Sequence, residues 1–360
     1  MVKLYDLDTP ALLVDLDLLE QNLVDMASAV LSGGKRLRPH TKTHKTLEIA
    51  QRQLAAGATG LTVAKLGEAE VYAERGIDDL FIANQIIGAQ KVARLIDLAG
   101  RVRVRVGVDS QECAAPIAQA ASEAGLTIAL MMEVDTGLGR AGVRTSQEAV
   151  ELALFIDKTV GIELVGVFTH EGHIYKATDQ GAGARDAESR IGAVVDAIRA
   201  AGVSLQEISM GSTPGAKHLA NEPLPTELRP GVYVFYDRSQ IQFGVPVEHC
   251  ALSVLATVTS IRSDGRMILD AGTKSLASDS PFPDKTTGQI IGHPELTMVG
   301  FSEEHAHVQI DSPTMLQVGD KVRIIPNHAC TCVNMHEEMI AVRGEEIEAH
   351  WAIIGRGKIR

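Results

Sequence analysis

The stretch Arg38-Pro39-His40-Thr41-Lys42-Thr43-His44-Lys45 puts two lysines and two histidines within six residues, behind a proline that fixes the backbone. A lysine at a strand-to-loop corner, partly desolvated and near other cations, has a lowered pKa and offers the neutral amine that a Schiff base requires. Lys42 is the candidate for that role; a solvated basic loop is the alternative that these residues leave open.

Three further clusters carry groups suited to chemistry around a bound small molecule. The run Glu133-Val134-Asp135-Thr136-Gly137-Leu138-Gly139-Arg140 sets an arginine in a glycine-rich loop, from which it can reach an oxyanion or simply face solvent. His170, Glu171, His173 and Tyr175 offer candidate bases and a phenol that can donate to a cofactor or shuttle a proton, against structural histidines and a structural tyrosine. Gly211-Ser212-Thr213-Pro214-Gly215 combines close backbone approach, two hydroxyls and exposed N–H donors, the parts of a phosphate cradle or of an ordinary turn.

A different chemistry is suggested by Pro326-Asn327-His328-Ala329-Cys330-Thr331-Cys332. Read as an extended strand, it places His328, Cys330 and Cys332 on one face, because strand side chains alternate with period two. Imidazole beside thiolate suits a zinc-like divalent ion. Two protein ligands, His328 and Cys330, with open positions would mean catalysis; a closed set that adds Cys332 and His336 would be structural.

The elements that must position these groups follow from the apolar pattern. Short apolar runs at 35–41, 60–64, 80–84, 102–108, 127–134, 164–169, 205–210 and, more weakly, 226–229 alternate with helical periodicity, and glycine follows several helices. Eight such units within about 240 residues predict a parallel (β/α)8 barrel, and no G-x-G-x-x-G follows the first strand as an open doubly wound sheet would often have. On that assignment Lys42, the Glu133–Arg140 run, the His170–Tyr175 cluster and Gly211-Ser212-Thr213 all follow strand C-termini, where barrel active sites gather. After about residue 243 the texture changes to short strand-like runs separated by Gly, Asp, Ser and Pro. The expected domains are therefore a barrel over 1–243 and a β domain over 244–360, with residues before about 15 able to pack on the β domain.

Composition narrows the function classes. The chain has 360 residues, 45% apolar and only 4% aromatic, as in parallel α/β cores. A net charge of −12 argues against nucleic acid or an anionic membrane as partner, although a small anionic ligand needs only a local patch. The first eight residues carry charges and no apolar signal core, and four cysteines in so long a chain make no disulfide framework. Both features lead to the expectation of a cytoplasmic protein.

Five motifs, in this order, resemble the D-threonine aldolase and D-serine dehydratase family of alanine-racemase-like, fold-type III pyridoxal-phosphate enzymes. They are Arg38-Pro39-His40-Thr41-Lys42-Thr43-His44-Lys45, Asp135-Thr136-Gly137 through Arg140-Ala141-Gly142-Val143, Gly211-Ser212-Thr213-Pro214, Ile268-Leu269-Asp270-Ala271-Gly272-Thr273-Lys274-Ser275 and Pro326-Asn327-His328. The resemblance covers nearly the whole chain. It implies that Lys42 carries pyridoxal 5'-phosphate, that Arg140 contacts its phenolic oxygen, and that Gly211, Ser212 and Thr213 form part of its phosphate site. It implies too that His328 and Cys330 hold a divalent metal, zinc first, with manganese or magnesium as alternatives. Dehydratases of the family show His-x-Cys at that pair and aldolases His-x-Asp, so His328-Ala329-Cys330 leans towards a D-serine or D-threonine dehydratase yielding a 2-oxo acid and ammonia. The alternative is a D-threonine aldolase, with His173 taking the hydroxyl proton. A racemase and a non-catalytic cofactor-binding protein rank lower; alanine racemases carry a lysine where this chain has Glu133. The expected partner is a small β-hydroxy-D-amino acid, and the resemblance implies a homodimer.

Overall fold

The computed structural model describes residues 3–279 and 285–360. After β1 (Ala11–Asp15) and α1 (Leu16–Ser32), strands and helices alternate: β2 (Arg36–Leu37), α2 (Leu47–Ala55), β3 (Leu61–Val63), α3 (Leu66–Ala73), β4 (Asp79–Gln85) and α4 (Ala89–Ala99). The alternation continues through β5 (Arg103–Val108), α5 (Gln111–Glu123), β6 (Ile128–Glu133), α6 (Ser146–Asp157), β7 (Ile162–Phe168), α7 (Gln180–Ala200), β8 (Glu207–Met210), α8 (Thr213–Leu219) and β9 (Glu227–Leu228). Local signals start several helices. Thr145 and Glu148 form a reciprocal capping box at α6, and Asp179 accepts from the Ala182 N–H at 2.9 Å to open α7.

The eight strands β2 to β9 form a parallel sheet in the order β2-β9-β8-β7-β6-β5-β4-β3. A parallel bridge from His40 to Thr62 joins the first strand's extension to β3 and closes the ring. This is the barrel that the alternation predicts. Its first and last strands are the shortest: only Arg36–Leu37 and Glu227–Leu228 pair regularly, where the pattern suggests 35–41 and 226–229. Pro39 lacks an N–H to give to a ladder, which limits the first of them. The interior is partly aromatic, with Phe81 edge-on to Phe168 at 5.1 Å beside Met131. It is also charged: the Arg38 guanidinium, 1% exposed, pairs with Glu227 at 2.7 Å and Asp79 at 2.5 Å.

Beyond α9 (Arg238–Ile241) the chain is mostly strand: β10 (Leu252–Ile261), β11 (Arg266–Leu269), α10 (Thr273–Leu276), β12 (Gly288–Ile290), β13 (Leu296–Phe301), β14 (Ala306–Ile310), β15 (Lys321–Pro326), α11 (Ala329–Met335), β16 (Glu338–Arg343) and β17 (Glu346–Ala352). These strands and β1 make a nine-stranded sheet, in which β1 runs antiparallel to β10 and parallel to β16. Leu4, Ala11, Leu13, Leu255, Ile340 and Val342 bury one another along it. Among the described residues, 3–24, 43–49, 232–279 and 285–357 form one compact unit, and 25–42, 50–231 and 358–360 the other. Among the described residues no helix is long and apolar enough to cross a membrane.

Candidate active site

Because all eight barrel strands are parallel, their C-terminal ends share one end of the barrel, and the predicted residues arrive there from different strands. Lys42 lies in the tight turn Thr41–Thr43 after β2, half-buried, with its backbone N–H 3.4 Å from His40 Nδ1. Lys45, the second lysine of the motif, is 7% exposed and donates from Nζ to Asn334 Oδ1 at 2.9 Å. A buried amine held by a side-chain amide is a structural group, which marks Lys45 as part of the local framework.

The loop after β6 is built around Asp135. Its Oδ1 accepts from the N–H groups of Gly137 and Gly139 at 3.0 and 2.9 Å, folding the chain so that Arg140 comes back over the strand end. Arg140 then reaches Glu133 at 3.2 Å, and Glu133, nearly buried, also accepts from the Gln85 side chain at 2.7 Å. After β7, the turn Gly172–Lys176 carries His173 and Tyr175, with the His173 ring beside Gly137. Both His173 ring nitrogens are buried and have no hydrogen-bond partner among the described residues. An imidazole in that state is positioned to exchange a proton with a ligand group.

His170 lies between cations. Desolvation, then Lys42, Arg140 and Arg229, push its pKa down from 6.5 to about 3, so its imidazole is neutral near neutrality. Arg229 follows β9, fully buried, with Phe81 and Phe168 packed 5.5 and 5.2 Å from its guanidinium carbon. It donates to Ser209 Oγ at 2.8 Å and to the Thr169 carbonyl at 2.5 Å.

Gly211, Ser212 and Thr213 join β8 to α8. Gly211 adopts φ +139°, and a Cβ there would stand 2.5 Å from the Arg229 backbone nitrogen, so both the dihedral and the space demand glycine. Ser212 is the N-cap of α8 and accepts from Gly215 N at 3.3 Å. The Gly211 N–H is given to Glu171 Oε2 at 3.1 Å, while the buried Oε1 of Glu171 has no partner among the described residues. Gly211→Ala is expected to destabilise the protein by roughly 2–3 kcal/mol, through positive-φ strain plus collision with backbone. A melting temperature unchanged from wild type would contradict this account of the turn.

The cluster at 326–332 departs from the extended reading. Only Pro326 ends a strand; from Ala329 the chain is helical, with His328 as N-cap in extended geometry. On a helix, residues two apart point to different sides, and the two cysteines separate accordingly. Cys332 is buried and donates to the Ser275 carbonyl at 3.2 Å, and His336 Nε2 meets the same carbonyl at 2.8 Å. Both are therefore engaged away from the pair, which works against a closed four-ligand site. His328 and Cys330 do come together: the imidazole hydrogen-bonds to the Cys330 side chain, and the negative charges of Cys330 and Asp237 push its pKa up to about 11. Thr43 Oγ1 lies 3.2 Å from the Cys330 sulfur. Among the described residues no group of three or more His, Cys, Asp or Glu side chains is arranged to hold a metal. The donor set of one imidazole and one thiol fits a zinc-like ion that keeps positions open for a ligand.

Arg229 and Asp237 were outside the clusters singled out from the sequence. Glu133 and Glu171 stand within the motifs, and Arg229 ends the eighth strand run, a position that could have marked it. Asp237 has no such signal, since its partners are about ninety residues away in sequence.

Comparison with known proteins places these observations. The sequence profile of the alanine racemase N-terminal domain matches residues 14–239, and that of a putative serine dehydratase domain matches residues 251–342. The chain is 33% identical to a D-threonine aldolase of Arthrobacter sp, with 97% of this chain and 93% of that protein covered. It is 35% identical to the D-threo-3-hydroxyaspartate dehydratase of Delftia sp. (strain HT23), with 91% and 92% covered. The crystal structure of a D-threonine aldolase from Filomicrobium marinum superposes with a TM-score of 0.94 at 31% identity, over 100% of this chain and 98% of that one.

Proposed function

This chain belongs to the alanine-racemase-like family of D-threonine aldolases and D-serine dehydratases, and we propose on that footing that it is a pyridoxal-phosphate- and divalent-metal-dependent lyase of β-hydroxy-D-amino acids that favours dehydration. The observation that carries this reading is the pairing of His328 with Cys330, one imidazole and one thiol together, while Cys332 and His336 are engaged with the Ser275 carbonyl. A racemase needs two opposed proton carriers at Cα and no Lewis acid, so this pair sets the chain apart from that class.

When bound, pyridoxal phosphate supplies an electron sink for the substrate's Cα, and a divalent ion, zinc first with manganese or magnesium as alternatives, supplies Lewis acidity at the β-hydroxyl. The chain's residues do the rest. Lys42 attaches the cofactor and, once its amine is freed, takes the proton from Cα. Gly211 shapes the turn, its own N–H being given to Glu171, so that Ser212 and Thr213 would present N–H and hydroxyl groups to the phosphate, and Arg140 would give its guanidinium to the phenolic oxygen. Tyr175 donates a hydrogen bond to the cofactor or relays a proton. Neutral His170 adds no further positive charge among Lys42, Arg140 and Arg229. His173, whose two ring nitrogens have no partner among the described residues, accepts the hydroxyl proton if Cα–Cβ is the bond that breaks. The barrel, proposed over 1–243, carries the cofactor residues, and the β domain over 244–360 carries the metal pair. The working form is proposed to be a homodimer.

Elimination and retro-aldol cleavage need nearly the same groups. The preference for elimination follows the His328-x-Cys330 pattern of the family's dehydratases. With D-threonine as substrate, 2-oxobutyrate and ammonia are expected to exceed acetaldehyde and glycine, and D-serine should give pyruvate. Acetaldehyde with glycine as the dominant products would establish the aldolase reading and leave the Lys42 and His328–Cys330 assignments standing. L-allo-threonine as the product, from inversion at Cα with Cβ untouched, would overturn both lyase readings.

A further inference from the structure

Asp237 is the N-cap residue of the short helix α9, where an aspartate ordinarily accepts from its own helix's N–H groups, yet its side chain makes no capping bond there. Its carboxylate is directed elsewhere. Oδ2 accepts from His328 Nδ1 at 3.1 Å and from the Ala329 N–H at 2.8 Å, and Oδ1 accepts from the Ser239 hydroxyl. His328, itself the N-cap of α11, also makes no side-chain cap. A second link ties the same two segments, from Ser239 N–H to the Asn327 carbonyl at 3.2 Å. The Asp237 side chain is 0% exposed, and its ion-pair partner is His328.

We propose that Asp237 is the positioning residue of the metal pair: by accepting a hydrogen bond from His328 Nδ1–H it leaves Nε2 as the ligand nitrogen, and by accepting from the Ala329 N–H it sets the start of the helix that delivers Cys330. The inference rests on the reading of His328 and Cys330 as the metal pair. Three physical arguments support it. An imidazole ligates only through a nitrogen that carries no proton, so a bound metal displaces one ring proton, and a carboxylate acceptor at Nδ1 keeps the remaining proton there. The same contact fixes the ring about its long axis and makes Nε2 more electron-rich, both of which strengthen ligation. A divalent ion, one thiolate and one carboxylate also sum to zero charge, a condition that a buried carboxylate needs more than an exposed one.

The test is zinc affinity, measured on the purified full-length protein by competition with a chromophoric chelator, alongside melting temperature and the absorption spectrum of bound cofactor. Asp237→Asn keeps an acceptor oxygen but loses the charge, and should weaken zinc binding by about 10-fold; Asp237→Ala loses both and should weaken it by about 100-fold. The cofactor spectrum should match wild type in both, and Asp237→Asn provides the measurement if Asp237→Ala folds poorly. His328→Ala is the reference. If His328→Ala loses zinc while both Asp237 variants hold it within about twofold of wild type, the positioning role is wrong and the metal pair stands. If His328→Ala holds zinc as tightly as wild type, the metal-pair reading fails and the inference falls with it.

Discussion

Lys42→Ala is expected to abolish covalent attachment of the cofactor and to lower kcat by at least about 10³-fold, because one side chain both carries the cofactor and moves the Cα proton. Borohydride reduction of the wild-type protein should lock pyridoxal phosphate onto the peptide that contains Lys42. The variant should still bind cofactor reversibly through the Gly211 to Thr213 turn and Arg140, since neither depends on the lysine for its shape. Gly211 is set by its contact with Arg229, and the Arg140 loop by Asp135 and Glu133. The structure sharpens this expectation relative to the motif, which offers two lysines three residues apart. Lys45 is buried and committed to Asn334, and has φ +55°, an uncommon conformation for a lysine. Label recovered on Lys45 would overturn the assignment.

Removal of divalent metal by a chelator is the second large effect: lyase turnover should fall by roughly 10³-fold or more, the loss of several kcal/mol of Lewis-acid stabilisation at the hydroxyl. The cofactor spectrum and the fold should persist. α11 is fastened by contacts that involve no metal, including Lys45 to Asn334, Cys332 to the Ser275 carbonyl and His336 to the same carbonyl. Zinc added back should restore activity. Unfolding on chelation would mean that the ion is structural, and full turnover of metal-free protein would remove the ion from the reaction. Cys330→Ala should mimic chelation, whereas Cys332→Ala should not, because the structure sets the two sulfurs in different surroundings.

The barrel was legible because its signal is repeated and local: a short apolar strand, a helix and a glycine, many times over, which only a parallel sheet satisfies. The β10 strand is likewise readable over 252–261 from its apolar run and flanking polar residues. Shorter elements were harder. β12 is only three residues long with a single large apolar side chain, and β17 alternates so that Trp351 is its one buried residue. The segment 328–332 was misread for a different reason. Small and β-branched residues with cysteine are ambiguous between strand and helix over so short a window, and the decision came from Asp237 taking the first N–H of the helix.

What the sequence determined by itself is the chemistry available: an amine at Lys42, an imidazole and thiol at His328 and Cys330, a glycine-rich turn at Gly211, and the order of motifs that identifies the family. These are properties of residue type and spacing, and they survive without coordinates. Only the tertiary structure decided which of two lysines is held by a buried amide, which of two cysteines stands with the histidine, and which nitrogen of that histidine meets a carboxylate. Each of those choices depends on a partner far along the chain: Asn334 for Lys45, Ser275 for Cys332, and Asp237 for His328. Burial makes such pairings decisive, because a buried polar group without its partner costs about 1–3 kcal/mol, while the same group in water costs nothing.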